Sequence, residues 1–144
     1  MKPEMNRARE DAVQRRGNNL AISDKAYDLG EFKNILVIGA GKASAAMAQP
    51  LEEILGERLT SGFINVKYGH SRSLSRVHVN EAGHPVPDKA GLRGAEKIIG
   101  LVRDATEKDL IIFLISGGGS ALLPAPAEGL TLEEATNELA FLVV

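Results

Sequence analysis

The chain has 144 residues, 44% of them hydrophobic and 25% charged, with a formal net charge of −2 at pH 7. That length suits one domain with a sizeable core. The near-neutral charge leaves no basic footprint for nucleic acid, and no apolar run approaches the ~20 residues of a bilayer span. With no cysteine, disulfides, thiolate metal sites and a cysteine nucleophile are excluded. The three histidines, His70, His78 and His84, are not paired at metal-ligand spacing, so no metal ligand is assigned.

The opening run MKPEMNRAREDAVQRR lacks the apolar core of a signal peptide, which makes the cytoplasm the expected compartment. Its weak apolar face (Met5, Ala8, Ala12, Val13) predicts a surface helix over 4–16, and the turn-rich 17–32 reads as a connection. KNILVIG, 33–39, is a short β-branched run ending in glycine, a buried strand. From Lys42 to Gly56 the pattern turns helical, with Ala43, Ala46, Met47, Leu51, Ile54 and Leu55 on one face. Pro50 predicts a kink or a restart there.

Strands are expected at 61–69 and 75–83. HPVPDKAG then leads into a helix at about 88–105, with Asp88 as its N-cap and Leu92, Ala95, Ile98, Ile99, Val102 and Ala105 as its buried stripe. Residues 109–115 read as a further strand. Thr131 and Glu134 have capping-box form, which predicts a last helix from about Leu132. Strands separated by helical segments, apolar without alternation, argue an α/β fold: a mainly parallel sheet with helices on both faces, Rossmann-like. The apolar finish NELAFLVV has no cap, so a helix there would leave Phe141, Leu142, Val143 and Val144 without neighbours. The chain reads as one stopped early.

In such sheets ligands sit beyond the carboxyl ends of the strands, and two glycine loops fall there. The first is Gly39-Ala40-Gly41-Lys42-Ala43-Ser44. Its glycines allow close backbone approach, and the following helix N-terminus favours an anion. As a dinucleotide fingerprint it is incomplete: Ser44 replaces the third glycine, and the next strand ends in Lys67 where an acid would grip a ribose. A tight turn with a solvated lysine is the competing reading. The second loop, Ser116-Gly117-Gly118-Gly119-Ser120, can converge successive N–H groups on a phosphate or carboxylate, with a plain turn as the alternative. No Gly-x-Ser-x-Gly elbow supports Ser120 as a nucleophile. GHPVPD, 83–88, is a stiff loop that could present His84 to the same edge or to solvent, while Lys67 and His70 read as surface residues.

Taken in order, VIGAGKASAAMA, LEEILGERL, VKYGH, EAGHPVPDKAG and DLIIFLISGGGSALLPAPAEGLTLEE resemble the ATP-dependent glycerate 2-kinases. These are the type II glycerate kinases whose C-terminal half is the MOFRL domain, some formerly labelled hydroxypyruvate reductases. The resemblance runs from about Tyr27 to Glu134. It implies phosphoryl transfer from ATP, with Mg²⁺, to the 2-hydroxyl of D-glycerate, giving 2-phosphoglycerate. Lys42 matches the family's active-site lysine. The 116–120 loop would donate to nucleotide phosphates or to the acid substrate, and His84 would line the cleft. The partners implied are small molecules, with no nucleic acid or membrane, and self-association is left open.

Family members are roughly three times this length and place the site between two domains. The expectation is therefore an N-terminal helix and connection over 1–32 and a partial N-terminal α/β domain over 33–144, with the MOFRL domain absent. Two alternatives stand beside the kinase: an NAD(P)H-dependent hydroxypyruvate reductase, and an inactive half-domain that keeps only a phosphate-binding loop.

Overall fold

A computed structural model of the chain describes residues 13–22, 25–41, 43–83, 88–115 and 139–143, with 115 and 139–143 by backbone only. Three short strands come first, β1 (Val13–Arg16), β2 (Asn19–Ile22) and β3 (Lys25–Asp28), paired antiparallel in the order β1-β2-β3. Then follow β4 (Asn34–Ala40), helix α1 (Ser44–Leu55), β5 (Ser61–Lys67), β6 (Val77–Ala82), helix α2 (Lys89–Arg103), β7 (Asp109–Ile115) and β8 (Leu139–Val143). These five strands form one sheet in the order β6-β5-β4-β7-β8, and every neighbouring pair is parallel.

Alternate residues of each central strand point to opposite faces, and two separate cores result. Ile35, Val37, Ile64, Val66, Leu110, Ile112 and Leu114 face one side, where they meet Ala45, Ala48, Leu51 and Leu55 of α1 together with Val13, Leu20 and Ile22 of the small sheet. Leu36, Ile38, Ile111 and Phe113 face the other side and meet Ile98 and Val102 of α2. The expected α/β fold with helices on both faces of a parallel sheet is the fold observed.

Several expectations need correction. Residues 13–32 are neither the end of a helix nor an irregular connection. Their three strands form a meander with Arg16 opposite Asn19 and Ile22 opposite Lys25. Gly17, at φ +60°, makes the first turn, and Gly-Asn between two short runs is a hairpin signal. The expected helix residues 4–12 lie outside the described residues. At the other end, 139–143 is a parallel strand, with Ile111 opposite Leu139 and Ile115 opposite Val143. A short apolar run satisfies its backbone in a sheet as readily as in a helix. The capping pair Thr131 and Glu134 lies outside the described residues.

Each helix buries part of the expected stripe, Leu51 and Leu55 in α1 and Ala95, Ile98 and Val102 in α2, but the rest of the buried face differs. In α1 the buried residues are Ser44, Ala45, Ala48, Leu51 and Leu55, whereas Ala46 is exposed and Met47 and Ile54 are half-buried. Alanine on every side of the first turns hides the period there. The helix is continuous through Pro50, so no restart occurs. In α2, Asp88 is the N-cap as expected, its Oδ1 accepting from the Gly91 N–H at 3.0 Å. Leu92, however, is 41% exposed, and Gly91 and Gly94 are buried in its place. A Cβ on Gly94 would collide with the Asn65 carboxamide and lie 2.6 Å from Asn80 Nδ2. The helix therefore packs by its glycines, which an apolar stripe does not reveal.

Candidate functional site

From β4 the chain runs through α1 to β5 on one flank, while β7 and β8 lie on the other, so the strand order reverses between β4 and β7. Adjacent loops diverge at such a switch point and leave a crevice beyond the carboxyl ends. Ala40 pairs with Ile115, so both strands end level, side by side, where the two glycine loops begin. The sequence placed the loops at strand ends without knowing that the strands were neighbours.

Gly39 belongs to β4 itself. A Cβ there would lie 2.5 Å from the Leu114 carbonyl oxygen and 2.9 Å from its Cβ, so close strand packing accounts for this glycine. Gly41 makes the turn out of the strand at φ +127°, a conformation that strains any L side chain. Its N–H donates to the Asn65 carbonyl oxygen at 3.1 Å, and its own carbonyl accepts from the Ser44 N–H at 3.1 Å. These bonds hold the turn across β4, β5 and α1. Helix α1 then begins with Ala43 at its cap position and no side-chain cap, and the buried Ser44 hydroxyl has no hydrogen-bond partner. Lys42, His84 and Ser116 to Ser120 lie outside the described residues.

The neighbouring stretch of the same edge is tied down by polar contacts that the sequence reading missed. Buried Asn65 donates to the Gly91 carbonyl at 3.2 Å and accepts from Asn80 Nδ2 at 2.9 Å, and Asn80 also donates to the Ala90 carbonyl at 2.9 Å. Two asparagines opposite each other on adjacent strands thus hold the first turn of α2. Beyond the strand ends, the Tyr68 hydroxyl donates to Asp88 Oδ2 at 2.7 Å. This bond raises the Tyr68 pKa. The Asp88 carboxyl is held below its usual range by the Gly91 N–H, then by Tyr68 and the Gly83 backbone. The pair joins YGH to the last residue of GHPVPD.

His70 is exposed, with Nδ1 3.3 Å from the Tyr68 carbonyl oxygen, and Lys67 is half-buried at the end of β5. His78 is exposed and stacks on Phe63, ring centroids 4.8 Å apart. No group of three or more histidine, aspartate, glutamate or cysteine side chains among the described residues is arranged to hold a metal ion.

A doubly wound parallel sheet whose strand order reverses between β4 and β7 defines an α/β protein of Rossmann-like architecture. Residues 2–143 match the family described as a domain of unknown function, DUF4147, and the chain belongs to that family. It is 38% identical over 128 residues to a glycerate 2-kinase of Pyrococcus horikoshii, covering 89% of this chain and 28% of that protein. It is 50% identical over 99 residues to a putative hydroxypyruvate reductase of Agrobacterium vitis, covering 69% of this chain and 26% of that protein. Among solved structures, a Pyrococcus horikoshii protein superposes with a TM-score of 0.76 at 38% identity, covering 89% of this chain and 28% of that one. A glycerate kinase of Thermotoga maritima superposes at 0.62 and 39% identity, covering 70% of this chain and 25% of that one. The resemblance read from the motifs is thereby borne out. The chain spans about a quarter of the length of the curated relatives it matches.

Proposed function

We propose that this chain forms the N-terminal α/β part of an ATP-dependent glycerate 2-kinase, which transfers the γ-phosphoryl group of ATP to the 2-hydroxyl of D-glycerate to give 2-phosphoglycerate. The observation that carries this reading is the pairing of Ala40 with Ile115, which starts both glycine loops at one switch point. The names of the relatives supply the acceptor.

Phosphoryl transfer asks a protein chiefly for positioning and for charge stabilisation. In this reading Gly41 turns the chain so that Lys42 stands at the head of α1, where its ammonium offsets charge building on the transferring group. The backbone N–H groups and hydroxyls of 116–120 donate to phosphate or carboxylate oxygens, and His84 lines the cleft from the loop that Tyr68 and Asp88 brace. Gly39 lets β4 pack closely on Leu114. Mg²⁺ would arrive on the nucleotide's phosphates and neutralise charge there; the described residues offer it no ligand set, and no step assigned here runs through it. The cytoplasm is the proposed compartment, and a second domain, of the MOFRL type, would supply the facing wall of the cleft.

The relatives named hydroxypyruvate reductase favour a second reading, hydride transfer from NAD(P)H. Against it, β5 ends in Lys67, where a dinucleotide site of this fold would place an acid for the ribose. The test is an assay of the native polypeptide that carries these residues. D-glycerate-dependent formation of ADP, with the phosphate located on carbon 2 by NMR, is the expected result. NAD(P)H oxidation by hydroxypyruvate without any ADP formation would overturn it.

A further inference from the structure

One polar group at the switch point has no task in that account. Ser44 is 0% exposed, and its Oγ has no hydrogen-bond partner. A buried hydroxyl left unpaired bears its full desolvation penalty, and such groups in native proteins call for an explanation.

Nor does packing ask for a hydroxyl here. Ala43, Ala45, Ala46 and Ala48 surround Ser44 in sequence, and alanine meets the close approach of α1 to the sheet at Ala45 and Ala48, 0% and 1% exposed. Side chains on a helix lean toward its N-terminus. As the first residue of α1, Ser44 therefore leans toward the turn that leaves β4, with its own N–H fixed by the Gly41 carbonyl. The same helix end carries no side-chain cap, and its dipole favours negative charge there. An orphaned donor and an uncapped helix end thus converge on the switch point.

We propose that Ser44 is a ligand-binding residue whose Oγ donates to an anionic oxygen, phosphoryl or carboxylate, seated at the amino end of α1. The choice of these two anions rests on the kinase reading, but the site is tested without turnover. Calorimetric titration of the native polypeptide with inorganic phosphate, and separately with D-glycerate, is run at constant ionic strength set with chloride, alongside thermal melts. Ser44→Ala is expected to melt higher than the native protein without anion, because the unpaired hydroxyl is gone. It should also bind one of the two anions about ten-fold more weakly, as loss of a hydrogen bond to a charged group implies.

Weakened phosphate binding identifies a phosphoryl site, and weakened glycerate binding a carboxylate site. Unchanged affinity for both anions in Ser44→Ala overturns the proposal. So does binding of neither anion by the native protein. A lower melting point with unchanged affinities marks the hydroxyl as structural and also overturns it. Absence of kinase turnover alongside a Ser44 binding defect would sink the kinase reading and leave this site standing.

Discussion

The two edges of the parallel sheet are finished in different ways. At the amino edge, charged and polar side chains close the loose backbone ends. Arg15 Nη1 donates to the carbonyls of Ile54 and Leu55 at 3.0 Å each and so caps the last turn of α1. Arg58 does the same for the carbonyls of Leu29 and Phe32, at 2.7 and 2.9 Å. Buried Asp109 accepts from Asn34 Nδ2 at 2.8 Å and from the Thr106 N–H at 2.9 Å. Glu52 takes the N–H groups of Ser75, Arg76 and Val77 at 2.7, 2.9 and 3.1 Å and so fixes the start of β6. At the carboxyl edge, the opposite end of α1 has no side-chain cap and carries an unpartnered serine beside a positive-φ glycine turn. Departures from local satisfaction gather where a protein has work to do. Among the described residues, the side chains of the amino edge are satisfied, while at the carboxyl edge the bonds of Asn65, Asn80 and Asp88 hold α2 and the head of α1 keeps an unpaired hydroxyl.

The largest expected effect is on turnover. In the native polypeptide, Lys42→Ala should lower kcat by about 100-fold or more, as loss of a charge aimed at the transition state implies, with an unchanged melting point. Unaltered kcat would remove Lys42 from the carboxyl-edge machinery. Next is Gly94→Val, whose side chain would invade the Asn65–Asn80 bridge. A loss of about 3 kcal/mol in denaturant unfolding is expected, at the upper end of ordinary overpacking. A loss within experimental error would show that α2 does not depend on that close approach.

At the amino edge, Glu52→Ala strands three backbone N–H groups and should cost about 1–3 kcal/mol without altering ligand affinity. The pH dependence carries a sign. Burial acts to raise the Glu52 pKa, but the N–H groups of Arg76, Ser75 and Val77 outweigh it and hold the carboxyl below its ordinary 4.5. A group depressed in the folded state contributes fully above that ordinary value, and its contribution is lost as the pH falls through the lowered folded one. Acid unfolding of Glu52→Gln should therefore show a flatter limb below pH 4.5 than the native protein; identical acid limbs would contradict the assignment. The smallest effect is that of Arg15→Ala, about 1 kcal/mol from two lost carbonyl bonds, again with affinity unchanged.

The main sheet was legible because its strands are short β-branched runs closed by glycine or charge, and Asp88 stands where a cap must. The meander over 13–28 was missed although Gly17-Asn18 signalled it, because four-residue strands carry too little alternation to outweigh a weak helical face. For β8 the ambiguity is physical: an apolar run of five residues takes its structure from the neighbour it pairs with. The Asn65–Asn80 bridge and the Glu52 cap join residues that only the parallel register brings together. At the candidate site, the glycine runs could be read as following strand ends, and topology made those two strands neighbours. It also gave Gly39 a packing reason, the close approach of Leu114. The Ser44 orphan could not be read at all, since an unpaired hydroxyl is visible only when its surroundings are.

The most direct test of the division between the edges is a map of backbone amide shifts in the native polypeptide as D-glycerate and a non-hydrolysable ATP analogue are added. The account predicts that the shifts concentrate at 39–45 and 116–120, while Arg15, Glu52 to Arg58 and Thr106 to Asp109 stay fixed. Shifts clustered at the amino edge, or none at 39–45, would contradict it.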